Sequence, residues 1–253
     1  MRLRLIACNV FLREACHCLV RSPNVVDVEF LDIGLHVRSE ELRKVLQERI
    51  DAETTAARHE AILLLYGVCG NSAVGLTARQ VPLILPRAHD CATILLGSKG
   101  EFRKHFEHAP STPFSSRGYM ERGDYFLRTL PGDGSTPPGD EYAAYVKEYG
   151  EENARYIWDS LHPKPEGEAG SRAIFIDVPE TRKPGLAEEF RAKAAAEGKE
   201  YVELPGSVRL IQNLVDGQWH PDEFLVVPPG QTVAGIYDWE EIVRAKPAEG
   251  QPG

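Results

Sequence analysis

The chain has 253 residues, enough for one large domain or two small ones, and either can bury a real core. A net charge of −9 argues against nucleic acid as a partner, because a phosphate backbone is bound by a surplus of Lys and Arg. Apolar content of 42% and charged content of 26% are ordinary for a soluble protein, and no apolar run reaches the roughly 18 residues of a membrane span. The start, MRLRLIACNVFLRE, has only a short apolar run, and reads as a first strand rather than a signal peptide.

Leu3–Ala7 is a predicted strand ending at Cys8 and Asn9. VFLREACHCLV then reads as a helix with Leu12, Cys16 and Leu19 on one face, ended by Pro23. Val25–Leu31 is the second strand, followed by Asp32-Ile33-Gly34-Leu35-His36. Ser39 caps a helix whose first turn carries Glu40 and Glu41 and whose core stripe is Leu42, Val45, Leu46 and Ile50. Ala61–Leu65 and Val81–Leu85 are short apolar runs of the kind that strands buried on both faces show. The first leads into Tyr66-Gly67-Val68-Cys69-Gly70-Asn71, the second into Arg87-Ala88-His89-Asp90-Cys91. His89-Asp90-Cys91 opens a helix that stops near Gly97, and a cysteine at such a helix start favours the thiolate.

Phe102–Phe114 has no clear periodicity, Pro131–Gly139 is a turn-rich break, Glu141–Leu161 reads as a helix, and Pro163–Gly170 as a second loop. An α/β pattern then returns: strand Ala173–Val178, helix Leu186–Ala196, strand Tyr201–Leu204, helix Val208–Leu214 ending near Gly217, and strand Phe224–Val227. Lys246–Gly253 is expected to be a disordered tail.

In an open α/β sheet the loops at the carboxyl ends of the strands form the ligand crevice. Four successive strand ends supply Cys8, His36, Cys69 and the pair His89/Cys91. Thiolates suit Zn²⁺ or an iron–sulfur cluster, and imidazole suits Zn²⁺ or iron. The competing account treats each cysteine as a small buried hydrophobe and each histidine as a hydrogen-bonded structural residue. Five cysteines is an odd number, and Cys16, Cys18 and Cys91 each lie within two residues of a histidine, which favours metal or thiol chemistry over disulfides. Cys16-His17-Cys18 sits inside a helix, where neighbours point apart, so it is read as structural. Asp90 either orients a ligand histidine or caps its helix. Arg87 would hold a substrate carboxylate or an ion pair. Tyr66 is placed as its neighbour at the substrate. Gly70 and Asn71, with Gly67, form a turn that lets backbone approach a ligand, and Gly206 and Ser207, with Arg209 nearby, mark a candidate anion site at a helix start.

VDVEFLDIGLH (Val26–His36), LLYGVCGNSAVGL (Leu64–Leu76), PLILPRAHDCATILLGS (Pro82–Ser98) and, more loosely, FLVVPPG (Phe224–Gly230) resemble a family of uncharacterised bacterial and archaeal proteins, DUF1638. The resemblance implies companionship with corrinoid methyltransferase systems. The His89-x-Cys91 pair is similar to that of zinc-dependent thiol methyltransferases, whose metal activates a substrate thiolate. Cys8, Cys69 and Cys91 match in type the three cysteines with which quinolinate synthase holds a [4Fe–4S] cluster, though no motif is shared.

The reading is therefore an α/β, Rossmann-like protein with a mostly parallel sheet and helices on both faces, divisible into two similar halves at residues 1–130 and 131–253. It is expected to be a cytoplasmic metal-binding protein, with Cys8, His36, Cys69, His89 and Cys91 around Zn²⁺ or a [4Fe–4S] cluster, acting on a small molecule in methyl or sulfur metabolism. The alternative is a metal or cofactor carrier without turnover.

Overall fold

The computed structural model describes residues 1–37, 39–53, 59–69, 71–109, 112–122, 151, 171–236 and 238–248; for His36 and Val37 this covers the backbone only. Gly70, the helix read over Glu141–Leu161 and the loops at Pro131–Gly139 and Pro163–Gly170 lie wholly or almost wholly outside those residues.

Apolar runs bounded by turn residues become the strands of a five-stranded sheet. β1 (Arg2–Cys8) is flanked in parallel by β2 (Val25–Leu31) and β3 (Ala61–Leu65). β3 pairs in parallel with β4 (Leu83–Pro86), and the order is β2-β1-β3-β4 with β8 (Phe224–Val227) antiparallel on the β4 edge. All five side chains of β3 are buried, as the interior position of a covered parallel sheet requires. Ile62 N–H donates to the Pro82 carbonyl at 3.0 Å, so the proline stands at the entry to β4 without interrupting its ladder.

The connections are helical. α1 (Leu12–Leu19) links β1 to β2, and α2 (Ser39–Asp51) links β2 to β3, burying Leu42, Leu46 and Ile50. α1 turns Glu14, Ala15 and Cys18 inward, not the predicted Leu12, Cys16 and Leu19 stripe. A short 3-10 turn over Asn9–Phe11 precedes it and buries Val10 and Phe11, which sets the rotation of the helix that follows. α3 (Cys91–Leu96) is capped by Asp90 and closed by Gly97 at φ 80°, as its sequence requires.

After α4 (Lys99–Phe106) the chain leaves the first sheet. β5 (Phe114–Ser116), β6 (Arg172–Asp177) and β7 (Glu200–Pro205) form a second, parallel sheet in the order β5-β6-β7. α5 (Arg117–Arg122) follows β5 directly, and α6 (Leu186–Ala196) links β6 to β7. On β6 the faces alternate: Ile174 and Ile176 join the main core, while Ala173 and Phe175 pack with Leu186, Phe190 and Ala194 of α6. α7 (Arg209–Asp216) then returns to lie against α1, β3 and β4, and β8 completes the first sheet. A division at residue 130 thus does not separate the sheets, since β5 belongs with β6 and β8 with β4. β9 (Gln231–Gly235) and β10 (Val243–Pro247) form a terminal antiparallel pair, so Lys246 and Pro247 are strand residues rather than tail.

No helix among the described residues is long and apolar enough to cross a membrane.

Candidate functional site

Strand order reverses between β1 and β3, because the chain runs outward from β1 to β2 and then back to β3 and β4. A crevice opens at such a point beyond the carboxyl ends of the strands. Cys8 is the last residue of β1, Cys69 follows β3, and Cys91 is the first residue of the helix after β4.

Two close backbone approaches assemble these ends. Val68 and Cys69 donate their N–H groups to the Ala88 and His89 carbonyls at 2.9 and 3.1 Å, extending the β3–β4 pairing beyond the sheet. A Cβ on Gly67 would meet the Asp90 backbone at 2.7 Å, so only glycine lets the start of α3 settle there. Cys69 itself has φ 44°, a left-handed conformation that a side chain adopts only at a cost. Ser72 holds the turn by donating its hydroxyl to the Val68 and Cys69 carbonyls.

The result is a thiol pair: Cys69 Sγ lies 3.8 Å from Cys91 Sγ. Cys8 is near enough that the charge of Cys91 bears on it. Burial is the largest cause pushing the Cys8 thiol well up, with Cys91 next, against the Val10 and Asn9 N–H groups that favour its thiolate. The Cys69 thiol is also held well above its ordinary value, first by its hydrogen bond with Cys91 and then by burial. Tyr66, fully buried, is raised by burial and then by the charges of Cys8, Cys91 and Cys69. Asp90 accepts from Ala92 and Thr93 N–H at 2.9 and 3.2 Å; burial outweighs these bonds and brings its carboxyl up to about 6. Asp90 thus serves as a helix cap.

A tyrosine absent from the sequence reading joins the group. Tyr119 on α5 has its phenol raised well above the usual range by burial, then by the charges of Cys91, Cys69 and Cys8. No strand-end pattern signals it, because it arrives from the second sheet.

The other expected residues go elsewhere. His89 stacks on Phe102 with ring centroids 5.5 Å apart and meets Trp239 edge-on at 4.8 Å. The charges it feels are those of Asp238 and Lys99, not the thiols, and burial holds its imidazole below the ordinary value. His36 falls in the 3-10 turn Ile33–Val37, and its side chain lies outside the described residues. Arg87 is not free for a substrate: it donates to the Pro221 and Glu241 carbonyls at 2.7 and 2.8 Å and to the Val243 carbonyl, tying the terminal strands to the end of β4. The Gly206 and Ser207 N–H groups are taken by the Asp177 and Leu95 carbonyls at 2.7 and 2.8 Å, and Arg209 is engaged with Glu223. Asn71 is exposed at φ 70°. Cys16 is exposed, while Cys18 is buried with its sulfur 3.8 Å from the Val208 carbonyl, so the two point apart as helix neighbours must. Burial, with Asp216 next, pushes the Cys18 thiol up to about 12.

Among the described residues, no three His, Cys, Asp or Glu side chains are gathered closely enough to hold a metal ion as they stand. The preformed part of the site is the Cys69–Cys91 pair.

Residues 30–215 match a family whose description is a protein of unknown function, DUF1638. The match includes Cys69, Cys91 and Tyr119 and begins after Cys8. No curated protein and no solved structure gives a match.

Proposed function

The chain belongs to the DUF1638 family, and we propose that it is a zinc-binding protein whose thiols act on a small molecule at the reversal of strand order. One observation carries this reading. Two thiolates held about 2.3 Å from one tetrahedral zinc stand about 3.8 Å apart, and Cys69 Sγ lies 3.8 Å from Cys91 Sγ. Sulfurs bound to separate irons of a cluster stand farther apart, so the spacing favours a single ion over [4Fe–4S].

Cys8 would complete the donor set only by a movement of the side chains, and is the candidate because it ends β1 and the charge of Cys91 bears on it. His89 is not a ligand in this reading, since its ring is held among Phe102 and Trp239. Three protein ligands leave a fourth position for a small molecule, which is the arrangement of catalytic rather than structural zinc. When bound, zinc supplies Lewis acidity and a lowered pKa to a thiol or water in that position. The protein's own part is to desolvate the site with Tyr66 and to orient the sulfurs through the Gly67 and Ser72 turn. A substrate thiol would fit methyl or sulfur metabolism, with a corrinoid methyltransferase system as the companion. A closed shell of four protein ligands would instead indicate a carrier.

Elemental analysis of the protein purified without oxygen tests the reading. One zinc per chain, lost in the Cys69→Ser/Cys91→Ser double variant, is the expected result. Retention of the metal by that variant, or its absence from a wild-type chain supplied with zinc, overturns it.

A further inference from the structure

Cys69 and Cys91 differ in access. Cys91 is only 2% exposed, in the first turn of α3, while Cys69 is half-buried on the turn that follows β3. Their sulfurs are 3.8 Å apart. A disulfide needs about 2.0 Å, so about 1.8 Å remains to be closed, a distance that rotation about one Cα–Cβ bond covers. The main chain beneath the pair is already joined. Val68 and Cys69 N–H donate to the Ala88 and His89 carbonyls at 2.9 and 3.1 Å, and Gly67 lies against the Asp90 backbone. The two sulfurs are thus held face to face by backbone contacts on either side of them.

We propose that Cys69 and Cys91 form a reversible dithiol–disulfide couple whose oxidant is a low-molecular-weight disulfide, with Cys69 reacting first and Cys91 resolving. This goes beyond the zinc reading and rests on the sulfur pair alone, which needs no third donor. The Cys69 sulfur attacks one sulfur of the small disulfide RSSR. The bond of RSSR breaks, a mixed disulfide forms on Cys69, and one thiol RSH leaves with the Cys69 proton. The Cys91 sulfur then attacks the Cys69 sulfur. The mixed disulfide breaks, the Cys69–Cys91 bond forms, and the second RSH leaves with the Cys91 proton. The protein loses two electrons, and one RSSR is reduced to two RSH. The hydrogen bond with Cys91, and then burial, keep the Cys69 thiol protonated, so the exchange belongs to the slow class of minutes to hours. The new bond ties the turn after β3 to the start of α3 across 22 positions of sequence and so constrains the unfolded chain. It also withdraws both sulfurs from any ligand or substrate, so oxidation switches the thiol site off.

The full chain, freed of metal by a chelator, is incubated with hydroxyethyl disulfide, blocked with iodoacetamide, digested without reductant and mapped by mass spectrometry. The expected product is a peptide pair joined through Cys69 and Cys91, which dithiothreitol separates, with the urea midpoint of the intact chain raised while the link is in place. Cys91→Ser is expected to stop at the mixed disulfide on Cys69, and Cys69→Ser to leave Cys91 without an adduct. Two thiols that both remain open to alkylation in the wild-type chain overturn the proposal, and so does a link from Cys91 to Cys8 in place of Cys69. A link that forms only in urea overturns it as well, since it would report the unfolded chain. An adduct on Cys91 in Cys69→Ser, formed as fast as that on Cys69 in Cys91→Ser, overturns the order of reaction. The link is read in the metal-free chain, so its failure leaves the metal reading to be decided by elemental analysis.

Discussion

Gly67 and Asp90 are in backbone contact: a Cβ on Gly67 would stand 2.7 Å from the Asp90 Cα and 2.9 Å from its carbonyl carbon. This contact fixes the distance between the turn carrying Cys69 and the helix carrying Cys91. Gly67→Ala is expected to displace the start of α3, at a cost of roughly 1–3 kcal/mol, and to weaken zinc binding. Urea unfolding and metal titration of the variant check both; unchanged values would mean that the contact yields freely.

The strain at Cys69 makes a separate prediction. At φ 44° glycine is at ease and alanine is not. Both Cys69→Gly and Cys69→Ala remove the thiol, but the glycine variant is expected to be the more stable of the two by about 1 kcal/mol. Equal unfolding free energies would show that the turn relaxes without penalty.

Metal uptake should release protons. The Cys8 and Cys69 thiols are both held above their ordinary value by burial and by each other's neighbours, so they are protonated in the metal-free chain at neutral pH. Zinc binds thiolates, and each displaced proton adds a roughly tenfold rise in affinity per pH unit, so these two thiols alone contribute about a hundredfold. Competition against a chelator across neutral pH measures the slope, and a flat profile would exclude these thiols as ligands.

His89 gives the fold a pH dependence of its own. Burial holds the imidazole below its ordinary 6.5. As pH falls through 6.5, the unfolded chain takes up the proton first. Stability is therefore full above that value and is lost as pH drops toward the lower folded pKa. His89→Phe suits the Phe102 and Trp239 surroundings and removes the proton. The difference in urea midpoint between about pH 7.5 and about pH 5.5 should shrink in this variant, with the zinc content unchanged. A loss of zinc would restore His89 to the ligand set.

Much of the frame was legible in the sequence because its signals are local. The run Ala61–Leu65, the Asp90 cap with its Gly97 stop, helix Leu186–Ala196 and strand Phe224–Val227 all stand where their residues place them. So did the idea that cysteines at strand ends share one edge, at least for Cys69 and Cys91. α4 was missed although Ser98 accepts from Glu101 N–H at 3.1 Å, a Ser-x-x-Glu start obscured by the aromatic and histidine residues that follow. What the sequence could not reveal was direction. His89 lies two residues from Cys91, yet its ring turns to Trp239, a residue far along the chain. Arg87 reads as a free cation until the carbonyls of Pro221, Glu241 and Val243 close around it. Tyr119 carries no local mark, since its place depends on Gly118 meeting Val10.

The return of β8 to the β4 edge has a kinetic consequence. Leu83 and Val227 are ladder partners although most of the chain lies between them. During synthesis the outer edge of β4 stays without its neighbour until residues 224–227 have emerged, while β1, β2 and β3 are already able to pair. Contacts so distant in sequence slow folding, and an open apolar edge invites pairing with other chains. The nascent protein therefore passes through an interval in which it needs protection from its own copies, and that interval ends when Phe224–Val227 docks.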